Sequence, residues 1–125
     1  MPNRDEFPHV FEELKKILQS YVPPLVATTD TLDNYYLNTA VPIVAKPPPG
    51  FFAAAVQIKK NYVSYHLMSV YVFPDLLVNI SDRLKKRMQG KSCFNFTTVD
   101  EDVFSELAQL TNAGFRRFRE QQNRG

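Results

Sequence analysis

Few residues in this chain are suited to acid–base, nucleophilic or metal chemistry: two histidines, His9 and His66, and one cysteine, Cys93. His66 commands attention, because an imidazole titrates near neutrality and serves as acid, base or ligand. It lies in Tyr62-Val63-Ser64-Tyr65-His66-Leu67. A strand with period-two alternation there puts Tyr62, Ser64 and His66 on one face, and Val63, Tyr65 and Leu67 on the other. If residues 92–99 join the same sheet, Cys93, Asn95 and Thr97 fall on the His66 face, beside Gln57 and Lys59. The candidate ligand-binding residues are therefore Tyr62, Ser64, His66, Lys91, Cys93 and Asn95. No catalytic or metal set is assigned. The competing account is plain: a half-buried antiparallel sheet has a solvated side whether or not it binds anything.

Other chemistries are poorly supported. Zinc needs at least three protein ligands, and His9, His66 and Cys93 have no local ligand spacing. A thiol with an ordinary pKa near 8.5 is mostly protonated at neutral pH, and Cys93 sits in a strand-like run. Carboxylates cluster at Asp5, Glu6, Glu12 and Glu13, and again at Asp100, Glu101, Asp102 and Glu106. Most fall in first turns of expected helices, where negative charge gains roughly 0.3–1 kcal/mol from the dipole with no cation present. The basic run Lys85-Lys86-Arg87 with Lys91 lacks interleaved aromatics for base stacking, and reads as a solvated face. No Gly-rich phosphate loop, nucleophile elbow or paired-histidine zinc motif occurs.

The elements that must position these residues follow from spacing. Val10, Phe11, Leu14, Ile17, Leu18 and Tyr21 make an apolar stripe, predicting a helix over 6–21 with Pro8 tolerated in its first turn. Pro23-Pro24 stops it. Strands are predicted over 25–29 and 35–39. Residues 41–50, with Pro47-Pro48-Pro49, read as an extended surface loop of polyproline character. Residues 51–60 give the clearest strand, turning at Lys60-Asn61 into a partner strand over 62–72. Phe73-Pro74 opens a short helical turn. Ser81 caps a helix carrying Leu84 and Met88 and ended by Gly90. A last strand covers 92–99. Asp100 then caps a final helix, with Val99 and Phe104 as its hydrophobic staple and Arg116, Arg117 and Arg119 in its last turns.

Helix, about four antiparallel strands, helix, strand, helix is an α+β order. The expectation is a single domain over 1–125, an antiparallel sheet of about five strands with helices packed on one face, and a frayed tail at 121–125. The 125 residues contain 44% hydrophobic and 22% charged residues, an ordinary globular balance. The net charge of +2 is too small to imply nucleic acid. Seven cations between 59 and 91 face only Asp75 and Asp82, so the middle is the basic part. No apolar run approaches the ~20 residues of a membrane span, and the first residues show no secretory pattern. A lone cysteine suits a reducing, cytoplasmic setting.

The segment Phe52-Ala53-Ala54-Ala55-Val56-Gln57-Ile58-Lys59-Lys60-Asn61-Tyr62-Val63-Ser64-Tyr65-His66-Leu67, with Met88-Gln89-Gly90-Lys91-Ser92-Cys93-Phe94-Asn95-Phe96, resembles the YdhG-like family of bacterial domains of unknown function. The likeness runs from about Val10 to Glu120. It implies a small cytoplasmic α+β domain. Some members have been described as frataxin-like iron chaperones, which implies an iron-carrier role; such delivery relies on an acidic surface, and this chain is slightly basic.

Three functions remain open. The favoured one is a binding domain, a carrier of metal, iron or another small ligand on the polar sheet face, rather than an enzyme. The second is an enzyme using His66 as general base. The third is a protein-interaction module or homodimer, contacting its partner through Tyr35, Tyr36 and Tyr71 or the Pro47-Pro48-Pro49 loop. Cofactor, ligand identity and oligomeric state are not encoded legibly.

Overall fold

Apolar residues at three- and four-residue steps build the first helix, α1 (Phe7–Gln19), after a 3-10 turn over Arg4–Glu6. Phe7, Val10, Phe11, Leu14 and Leu18 are buried, each stabilising the fold by roughly 1.5–3 kcal/mol relative to exposure. The computed structural model describes residues 4–22, 25–38 and 52–124, the side chains of 4, 52, 118, 119 and 121–124 excepted. Pro23-Pro24 and the Pro47-Pro48-Pro49 loop lie outside the described residues.

Among the described residues, six strands form one antiparallel sheet: β1 (Val26–Asp30), β2 (Asn34–Asn38), β3 (Phe52–Ile58), β4 (Val63–Leu67), β5 (Met88–Gln89) and β6 (Cys93–Phe96). Their spatial order is β1-β2-β3-β4-β6-β5, so β3 and β4 are central. Register aligns Tyr35, Val56, Tyr65, Phe94 and Met88 in one row across five strands. This row joins the core with Leu37, Ala54, Val63, Leu67 and Phe96. The helical layer completes that core: α1, α2 (Met68–Val72), α3 (Asp82–Lys85) and the long α4 (Glu101–Arg124). Each of the first three contacts α4. The α+β class, the antiparallel sheet and the helices on one face are as the sequence predicts.

Several expectations are corrected. The sheet has six strands rather than about five, because Met88-Gln89 is a strand. Ser81 does cap α3, its Oγ accepting the Leu84 N–H at 3.2 Å. The helix ends at Lys85, however, and Met88 pairs with Phe94. Gly90, with φ of 76°, turns β5 into β6 instead of capping a helix. The strand predicted over 62–72 stops at Leu67. Its β6 partner ends at Cys93, opposite His66, and the chain then coils so that Val70 and Phe73, three residues apart, both reach the core. Tyr35, proposed as an exposed contact residue, is 3% exposed because it stands on the core row; Tyr71 is 55% exposed.

The final helix starts as predicted: the Val103 N–H donates to Asp100 Oδ1 at 3.2 Å. Arg117, expected to act on the dipole, instead bridges α4 to the 3-10 turn Pro74–Leu77. Its guanidinium meets Asp75 at 2.7 Å and lies 4.5 Å from the Phe73 ring centroid. Asp75 is held below the usual carboxylate range by that bond. None of the described helices is long and apolar enough to cross a membrane.

Candidate functional site

Alternation on the central strands sends every second side chain away from the helices. Two rows result. Tyr36, Ala55, His66, Cys93 and Gln89 are successive cross-strand partners; Asn34, Gln57, Ser64 and Asn95 form the second row. Cross-strand neighbours of this kind have Cβ atoms about 4.5–5.5 Å apart, close enough for one small ligand to touch several. Ala55 contributes only a methyl group between Tyr36 and His66, which makes the floor low there.

His66 is half-buried. Its Nε2 lies 2.7 Å from Ser92 Oγ, while the Ser92 carbonyl accepts the Leu67 N–H at 2.9 Å. Ser92 thus holds both the ring and the backbone beside it. Burial pushes the His66 pKa below its ordinary value, so the imidazole is neutral at neutral pH. In the second row Gln57 Nε2 donates to Asn34 Oδ1 at 3.2 Å. Asn95 Nδ2 donates to Gln89 Oε1, and the Asn95 backbone N–H donates to the Arg87 carbonyl at 2.7 Å.

The structure brings together Ser64, His66, Cys93 and Asn95, four of the six candidate residues: Ser64 stands opposite Asn95 and His66 opposite Cys93. Tyr62 and Lys91 are not part of this cluster. Tyr62 lies in the turn before β4, where its carbonyl accepts the Lys59 N–H at 2.8 Å. Lys91 lies in the exposed turn before β6. Antiparallel pairing sends these turns to opposite ends of the two strands. Strand alternation failed at Tyr62 because that residue precedes β4, and Lys91 lies before the strand predicted over 92–99.

No family model matches this chain, and no curated protein or solved structure matches it significantly. The chemistry must be read from the donor set. The face offers amides (Asn34, Gln57, Gln89, Asn95), two hydroxyls (Tyr36, Ser64), a neutral imidazole and a thiol. Neither row contains a carboxylate. Among the described residues, no three His, Cys, Asp or Glu side chains converge to hold a metal ion. Most acidic groups whose partners are defined serve the fold: Asp100 caps α4 and meets Arg83 at 2.5 Å, Glu106 accepts from the Ser81 N–H at 2.7 Å, and Asp30 pairs with Lys15 at 2.8 Å.

Ser92 was the residue that sequence reasoning missed. Alternation would turn it away from Cys93, toward the core. It sits in a turn, where alternation has no force, and only the cross-strand register of β4 against β6 brings it to His66. Gln89 was missed for a related reason, since a helix was expected there.

Proposed function

We propose that this chain is a small-ligand binding domain whose recognition surface is the sheet face carrying Ser64, His66, Cys93 and Asn95. The observation that supports it is the pair of register-matched rows that cross the sheet from β2 through β3 and β4 to β6, carrying hydrogen-bonding groups of both senses and no formal charge. Such a set fits an uncharged polar molecule presenting amide, hydroxyl or ring-nitrogen edges. The free Cys93 thiol suits a reducing cytoplasm, where we place the protein. The resemblance to YdhG-like bacterial domains agrees with that setting, but its iron-carrier branch asks for oxygen donors that these rows lack.

A thermal-shift screen of neutral nucleosides, amides and sugars, run alongside divalent metals, tests the reading. A molecule that prefers the folded state raises Tm, by an amount set by its concentration relative to Kd. The expected hit moves the NMR resonances of His66, Cys93 and Asn95 and binds about tenfold more weakly to Asn95→Ala. A hit that perturbs only other surfaces, or stabilisation by metals alone, overturns it.

One contact favours a second reading. Ser92 Oγ and His66 Nε2, 2.7 Å apart, have the separation of a nucleophile and its base, and a neutral imidazole can accept a proton. Acyl transfer at Ser92 would be established by a fluorophosphonate probe labelling Ser92 in the wild type but not in His66→Ala. Without labelling, the contact is a bond that fastens the turn to β4.

A further inference from the structure

A second concavity lies on the other side of the sheet, between the start of α1 and the end of β3. Phe7, Pro8, Ile58, Lys59 and Lys60 line a groove of about 350 Å³, near the lower end of small-molecule pocket sizes. Its walls are apolar. Phe7 and Ile58 pack into the core, and Pro8 presents ring carbons and has no N–H to offer. The frame is fixed by backbone bonds: the Ile58 N–H donates to the Asp33 carbonyl at 2.9 Å, and the Lys59 N–H to the Tyr62 carbonyl at 2.8 Å.

The rim carries two cations, Lys59 and Lys60. Lys15, Lys16, Arg83 and Arg117 each meet a carboxylate. Among the described residues, no carboxylate lies within ion-pair distance of Lys59 or Lys60. Lys85, Lys86 and Lys91 are also exposed, but they do not line this groove. Here apolar walls and unneutralised ammonium groups coincide. Two ammonium groups beside apolar walls suit an anionic head joined to an apolar body.

We infer that the Phe7–Ile58 groove binds a small amphipathic monoanion, a carboxylate with a short alkyl or aryl body, its head between Lys59 and Lys60 and its body against Phe7, Pro8 and Ile58. The site is independent of the polar face, because α1 covers the opposite side of the sheet from His66.

Octanoate is the probe. Titrated into the labelled full chain, it is expected to shift the amide resonances of Phe7, Ile58, Lys59 and Lys60 in a saturable way, leaving those of His66 and Cys93 fixed. Acetate, which has the head without the body, inorganic phosphate and octyltrimethylammonium should not saturate. Lys59→Gln/Lys60→Gln should weaken octanoate binding roughly threefold to tenfold. Both lysines are exposed, so the variant keeps its fold, verified by unchanged dispersion of the remaining resonances. Added salt should weaken binding to the wild type more than to the variant. Equal binding of the cationic amphiphile, unchanged affinity in the double variant, or shifts centred on His66 would each overturn the inference.

Discussion

The two faces of β4 and β6 treat polar groups in opposite ways. On the helix side, Tyr65 is fully buried and its hydroxyl meets Thr111 Oγ1 at 2.6 Å; Thr111 Oγ1 in turn donates to the Leu107 carbonyl at 2.8 Å. That chain of bonds ends inside the molecule, and burial drives the phenol pKa far upward. On the other side, Ser64 is buried as well, but His66, Cys93 and Asn95 keep part of their surface exposed. Their partners are lateral: a turn serine and a strand-edge glutamine. A buried hydroxyl whose partners are all internal is part of the fold's stability. Lateral partners can be exchanged for those of a ligand with little loss. The contrast is therefore between polarity committed to folding and polarity available for recognition.

Adjacent residues put this contrast to its sharpest test. Phe94 and Cys93 differ by one position and face opposite ways. Phe94→Ala should cost about 3–5 kcal/mol, because it empties a site at the centre of the core row. Cys93→Ala should cost under about 1 kcal/mol. Urea unfolding of the two variants measures both. Comparable losses would mean that the polar face is as tightly packed as the core, and that it is structural.

The seam between α2 and α4 gives the next largest effect. A methyl group at Gly114 would overlap Ser69 Oγ and come within 2.5 Å of Ser69 Cβ. Gly114→Ala should therefore lose roughly 1–3 kcal/mol through overpacking. Ser69→Gly should recover much of that loss in the double variant. Ser69→Ala should not, since its Cβ remains, although Ser69 Oγ has no hydrogen-bond partner among the described residues. Full rescue by Ser69→Ala would place the conflict at the hydroxyl alone and would show that the helices separate readily.

Those contacts also mark where the sequence could be read and where it could not. The stripe from Val10 to Leu18, the alternation through Ala54, Val56, Tyr65 and Leu67, the Asp100 cap and the orientation of His66 depend on local periodicity, which one sequence displays in full. The misreadings depend on tertiary pairing. Met88-Gln89 becomes a strand because β6 offers an edge, and no local signal outweighs the helical look of the preceding lysines. Met68–Val72 coils because β4 runs out of partner, although alternation continues. Ser92 reaches His66 through register alone. Four of the six candidate residues were visible as strand faces; the closing contact from Ser92 belongs to a turn, whose geometry is fixed by what it connects.

At the start of α4, Asp100 couples capping to charge. Its pKa is lowered first by the Val103 N–H bond and then by Arg83. Asp100→Ala should cost about 1 kcal/mol. In the wild type the same stabilisation is present above the ordinary carboxylate pKa and is lost as pH falls through the lower folded value. The acid limb of an unfolding midpoint measured against pH should therefore flatten in the variant. An unaltered limb would assign the acid sensitivity to other carboxylates, such as Asp75.

His66 should give the smallest effect and the most specific one, because its window is separate. Its ordinary pKa is 6.5 and burial lowers it in the folded protein. Above 6.5 both states are neutral and the group contributes no pH dependence. Between 6.5 and the folded value the unfolded chain binds the proton and the folded one does not, so stability falls as pH falls. Below the folded value the loss is complete and the curve levels again. The wild type should thus weaken between neutral pH and the folded value of His66, well before the carboxylates titrate, and His66→Gln should remove that step while keeping a polar group beside Ser92. If a ligand docks on the neutral imidazole, its affinity should decline through the folded pKa of His66. An NMR titration showing the His66 ring protonating above neutral pH would mean that the imidazole is held charged, and the case for an uncharged recognition face would fail with it.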